Sequence, residues 1–184
     1  MAQFTTYCEA VRNGRFDEKH RHYHDYEYGF PIEEDNALFG RLILEINQAG
    51  LSWDTILNKR ESIRIAYANF DVSTIAAYRE KDIQRLLQNT GVIRMRKKIE
   101  AIIYNAKQIE KIQKEYGSFS GWLDIQGVEN ESFWVNLFKN HFKFTGSEIT
   151  KEFVRATGYI EGAHERHCLI YKTILKKRPK WLKA

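Results

Sequence analysis

The chain has 184 residues but only two cysteines and two prolines. So few cysteines exclude the disulfide framework of a small secreted protein. The prolines, Pro31 and Pro179, lie toward the two ends, leaving the stretch between them free to form helices. No apolar run reaches membrane-spanning length, and the N-terminus lacks the apolar core of a signal peptide. The expectation is a cytoplasmic protein without membrane contact. Acidic residues are outnumbered, 24 against 29 Lys and Arg, giving a formal net charge of +5. That balance favours a polyanionic partner without proving one. Aromatics at 14% and charged residues at 29% describe a folded chain. Its length suits a single domain over residues 1–184, with two lobes allowed and a basic tail at 176–184.

Hydrophobic spacing points to an all-α fold. Leu38, Phe39, Leu42, Ile43 and Ile46 recur at three- and four-residue steps until Gly50, and Ser52 is placed to cap the next helix. Further helices are expected over 64–70, from Asp71 or Ser73 to Tyr78, over 80–88, from about Met95 to Tyr116, and over 149–157. The segment Gly127–Ser132 is polar and reads as mobile, and the basic tail reads as peripheral.

Both cysteines fall into distant Cys/His sets, Cys8 with His24 and His164 with Cys168. In His164-Glu165-Arg166-His167-Cys168 the end residues would face one point if the segment were helical. Two thiolates and two imidazoles suit tetrahedral zinc, so a structural zinc joining the N- and C-terminal regions is expected. His20, His22 and His167 are alternative imidazoles. A hydrolytic zinc centre is the rival reading, but it needs an open coordination position that four protein ligands would fill.

Between Leu86 and Ile103 an amphipathic helix, a hairpin containing Gly91, and a basic helix start (Arg94, Arg96, Lys97, Lys98) follow one another. Hairpin N–H groups and a helix N-terminus can hold a DNA phosphate, with the cations adding sequence-independent attraction. The plain alternative is an αα-turn with a solvated basic face.

Three segments together resemble the 3-methyladenine DNA glycosylase I family: Tyr23-His24-Asp25-Tyr26-Glu27-Tyr28-Gly29, Glu45 through Trp53, and Gly91-Val92-Ile93-Arg94 with the helix through Asn105. Phe142 to Gly146 and the His164/Cys168 pair extend the match. The resemblance implies a helix-hairpin-helix DNA glycosylase fold, one structural zinc on Cys8, His24, His164 and Cys168, and a monomer acting on alkylated double-stranded DNA. The implied reaction is base excision repair by hydrolysis of the glycosidic bond of N3-alkylated purines, chiefly 3-methyladenine, without a lyase step.

A base read outside the helix needs an aromatic pocket and something to fill the gap it leaves. Tyr23, Tyr28 and Trp53 are the candidate walls, and Glu45 the candidate reader of the exocyclic amine and catalytic carboxylate. Gly50 and Leu51 are the candidate wedge, although core packing of Leu51 reads almost equally well. Gly91, Ile93, Arg94 and Lys97 are the candidate DNA contacts of the hairpin. The family lacks the catalytic aspartate found after the hairpin in many related glycosylases, and no replacement stands there in this chain. Tyr28 and Ala10 stand where the family usually has tryptophans, and His20 is nearest to the position of a family tyrosine, which implies an altered stacking wall. A non-catalytic damage-binding protein on the same scaffold is the alternative.

Overall fold

The computed structural model describes residues 6–182. Its organising element is α3 (Asp35–Gln48). Leu38, Phe39, Leu42, Ile43 and Ile46 on α3 are completely buried, as the spacing predicts. Gly40, Arg41, Glu45 and Asn47 are buried as well, so this helix is enclosed around its circumference. Arg41 and Glu45 therefore sit almost wholly out of solvent. Glu34 caps the helix by accepting from the N–H groups of Asn36 and Ala37. Asp35 then accepts from the backbone N–H groups of Phe119 and Ser120, tying α3 to the start of α8 (Phe119–Asp124).

After α3 the chain turns at Gly50, whose φ of 81° suits glycine. Ser52 accepts from Thr55 N–H and opens α4 (Trp53–Ala66), as expected. A turn at Ala68–Phe70 follows, in which three successive non-glycine residues have φ of 50°, 55° and 65°. Such left-handed geometry costs about 1–2 kcal/mol per residue. Packing offsets it: the Phe70 ring lies so close to Gly40 that a Cβ there would meet Phe70 Cδ2 at 2.3 Å. Asp71 caps α5 (Val72–Ala76), which packs along α7 (Arg96–Tyr116). Ile99, Ile102, Ile103, Ala106 and Ile109 form the buried stripe of α7. Among the described residues there is no strand, and no helix is long and apolar enough to cross a membrane.

Several helices lie beyond what periodicity signals: α1 (Tyr7–Arg12), α2 (Glu18–Tyr26), α9 (Glu131–His141) and α11 (Leu169–Lys176). Helix α2, with the sequence EKHRHYHDY, has too few aliphatic residues to show a stripe. Helix α9 takes in the end of the expected mobile segment, because the Asn130 side chain caps it at Phe133 N–H. It packs on α10 (Ser147–Ala156) through Phe138 and Phe153.

The His164–Cys168 segment is not helical. Gly162 enters it with φ of 115°, Cys168 N–H closes a turn onto Glu165 O at 2.8 Å, and α11 begins only after Cys168. The basic tail is not wholly peripheral either. Lys180 is buried and pairs with Asp124 (2.7 Å) and Glu33 (2.9 Å), a neutralisation that lets a lysine leave water. Lys183 and Ala184 of that tail lie outside the described residues.

Candidate active site and metal group

Cys8, His24, His164 and Cys168 converge, with one ligand atom from each lying within 4.8 Å of all the others. Cys8 Sγ and Cys168 Sγ are each 3.6 Å from His164 Nδ1, and Cys168 Sγ is 3.8 Å from His24 Nε2. Edges of that length match a tetrahedron built on metal bonds of about 2.0–2.3 Å. The outer nitrogens are also engaged: His24 Nδ1 lies 2.7 Å from Asp25 Oδ1, and His164 Nε2 lies 2.9 Å from Tyr28 O. Such partners fix the rings of metal-bound histidines. Burial, with His24 beside it, pushes His164 down to about 4, so it is held in the neutral, ligating form. The four residues can hold a metal ion, and the two thiols are free of any disulfide. The alternative imidazoles are placed elsewhere: His22 and His167 are exposed beside Glu27 and Glu165, while His20 contacts Tyr7 and Phe16.

Next to this group, across the Tyr7 and Tyr28 rings that contact His24 and His164, lies a cavity of ≈ 440 Å³, within the usual range for a small-molecule site. Tyr23, Tyr28, Glu45 and Trp53 all line it, together with Tyr7, Phe16, His20, Arg41, Gln48 and Glu152. Tyr23 and Trp53 are in contact, with ring centroids 5.0 Å apart. No slot therefore opens between them, and the stacking surface is the joined wall they make with Tyr28 and Tyr7. His20 stacks on Phe16 at 4.2 Å, so an imidazole–phenyl pair completes that side.

Glu45 is 2% exposed at the floor. Its Oε1 forms an ion pair with Arg41, 2.7 Å from Nη2, while the same guanidinium group donates to Tyr23 Oη and lies over the Tyr23 and Trp53 rings. Desolvation pushes Glu45 up to about 7, against the pull of Arg41 and with the help of Glu152. Three buried polar atoms of cavity residues have no hydrogen-bond partner within the protein: His20 Nε2, Arg41 Nε and Trp53 Nε1. Unsatisfied groups gathered at one cavity mark a site prepared for a polar ligand.

Gly50 and Leu51 form the turn beside this cavity, and Leu51 is 41% exposed rather than in the core. Lys98 holds the turn from beneath, donating to Asn47 O (2.8 Å) and Ala49 O (2.7 Å) at the C-terminus of α3. It is therefore withdrawn from the basic surface expected at the hairpin. Arg96 is withdrawn too, paired with Glu80 and Glu100. The hairpin after α6 (Glu80–Gln88) has Asn89 accepting from Gly91 N–H. Val92 is buried and Ile93 packs on the core, whereas Arg94 and Lys97 are exposed.

Sequence reasoning missed Arg41 and Glu152. Arg41 stands one helical turn before Glu45, a spacing that signals an ion pair on a buried face. Glu152 on α10 has no such signal, because only the tertiary fold brings it to the cavity.

A family model described as methyladenine glycosylase matches residues 13–132. DNA-3-methyladenine glycosylase 1 of Escherichia coli (strain K12) is 35% identical, with the match covering 81% of this chain and 89% of that protein. DNA-3-methyladenine glycosylase of Haemophilus influenzae is 46% identical, covering 76% and 85%. The solved structure of 3-methyladenine DNA glycosylase I from Staphylococcus aureus, which addresses 3-methyladenine recognition, superposes with a TM-score of 0.79 at 31% identity. It covers 90% of this chain and 97% of that one. Family model, relatives and helical architecture agree: the chain belongs to the methyladenine glycosylase family.

Proposed function

We propose that the protein is a DNA repair enzyme that hydrolyses the glycosidic bond of N3-alkylated purines, chiefly 3-methyladenine, in double-stranded DNA, acting as a monomer and a single domain. The observation that carries this is the buried Glu45 carboxylate, paired with Arg41, at the floor of an aromatic-walled cavity beside an exposed Gly50-Leu51 turn. N3-alkylation makes the purine a cation. A cation entering the cavity stabilises ionised Glu45, and Glu45 in turn accepts from the exocyclic amine. Stacking on the Tyr23, Tyr28 and Trp53 wall favours an electron-poor ring. Selectivity follows because a neutral purine offers no positive charge to the carboxylate and leaves more of its desolvation cost uncompensated.

Leu51 fills the gap left by the extruded base, supported by Gly50. Gly91 and Ile93 place the hairpin against the DNA backbone, where Arg94 and Lys97 meet phosphates. Zinc is the ion that the Cys₂His₂ set suits. Bound there it would be structural, holding α2 and thereby Tyr23 and Tyr28.

The test is chromatographic detection of free base released from methylated duplex DNA, with E45A alongside. Release of 3-methyladenine by the wild type and not by E45A is the expected result. Tight binding without release would instead establish the non-catalytic reading.

A further inference from the structure

If the protein acts as proposed above, its reaction needs a base. An N3-alkylated purine begins as a cation and leaves neutral after taking the C1′–N9 electron pair, so no acid need protonate it. Water bonds to C1′ and must lose a proton. Glu45 is poorly placed for that task, being on the cavity floor against Arg41, whereas water meets the sugar at the mouth.

The mouth can be located. Glu45, Gln48 and Glu152 are common to the base cavity and to an adjoining cleft of ≈ 290 Å³ along the Gly50-Leu51 turn. A nucleotide with its base in the cavity and its strand passing the turn carries its glycosidic bond over these shared residues. Of these three shared residues Gln48 is neutral and Glu45 is deep, which leaves Glu152; Glu148 lines only the cleft and Asp54 only the cavity.

We propose that Glu152 is the general base: its carboxylate orients a water and accepts its proton as the O–C1′ bond forms and the C1′–N9 bond breaks. The carboxylate is held without being buried. Glu152 Oε2 accepts from Arg155 Nη1 at 3.1 Å, Tyr28 hydrogen-bonds to the same carboxylate, and the side chain is 32% exposed. Arg155 is itself shared with Glu131 at 3.0 Å, so Glu152 is not fully neutralised. Its charge also faces the positive charge that develops on the sugar. The role that an aspartate after the hairpin fills in related enzymes thus passes to a different helix, α10.

The test is single-turnover release of 3-methyladenine by E152Q, which keeps side-chain size and an acceptor for Tyr28 and Arg155. The rate should fall about 100-fold while affinity for free 3-methyladenine, read by tryptophan fluorescence, stays unchanged. In E152A, added formate should restore part of the rate. A wild-type rate in E152Q overturns the proposal. So does a joint loss of rate and base affinity without formate rescue, which would make Glu152 only part of the wall. Absence of release by the wild type would be a failure of the glycosylase reading itself.

Discussion

Replacing Glu45 by glutamine should stabilise the protein in mild alkali while abolishing its activity. Glu45 is pushed from the ordinary 4.5 up to about 7 in the folded protein. The folded state therefore holds a proton that the unfolded chain releases, and stability must fall as pH rises between those values. A shift of about 2.5 units at 1.36 kcal/mol each corresponds to about 3 kcal/mol. The glutamine amide mimics the protonated carboxyl, so E45Q and wild type should be close in stability near pH 4.5. By pH 8 E45Q should be more stable by about 3 kcal/mol, or about 6–12 °C in Tm for a chain of this size. Arg41 remains in both proteins, and the other titrating groups cancel in the difference. Thermal melts of the two at pH 4.5, 6 and 8 measure it directly. A difference that does not grow with pH would refute the claim that desolvation raises Glu45 in the folded protein.

Four further outcomes are expected. K98M should lose about 1–3 kcal/mol in denaturant titration by stranding Asn47 O and Ala49 O, with slower excision because the Gly50-Leu51 turn loosens. Alanine at Arg94 and Lys97 should weaken binding to all duplex sequences and reduce the salt slope by about 1 for each residue, without changing bound metal. G40A should cost about 1–3 kcal/mol, seen as a lower Tm, since its Cβ would have to displace the Phe70 ring. Metal removal with a chelator, or C168S, should lower Tm and quench base binding together, because one segment of α2 carries both Tyr23 and His24.

Legibility followed physical strength of pattern. The stripes of α3 and α7 were plain because aliphatic periodicity records burial directly. Cys8, His24, His164 and Cys168 could be grouped because a chain with two cysteines offers few ways to build a soft-ligand set. The cavity residues Tyr23, Tyr28, Glu45 and Trp53 were legible through short-range motifs. What escaped were features created by tertiary approach. Lys98 reads as a surface cation until α3 presents its carbonyl groups to it. Glu152 is an ordinary helix carboxylate until α10 packs beside α3. Helix α2 hid because its buried face is built from histidine and tyrosine, and the turn at His164 hid because helical spacing and a tight turn bring the same two residues together.

The Cys/His group also sets a schedule. Its members come from residues 8 and 168 as well as 24 and 164, so during synthesis it cannot close until residue 168 has emerged. Chains lengthen at about 5–20 residues per second. For several seconds, then, α3 and α7 can pack while Tyr28 still lacks its contact with His164. The support that His164 gives to Tyr28 therefore arrives after the α3–α7 part of the core can form.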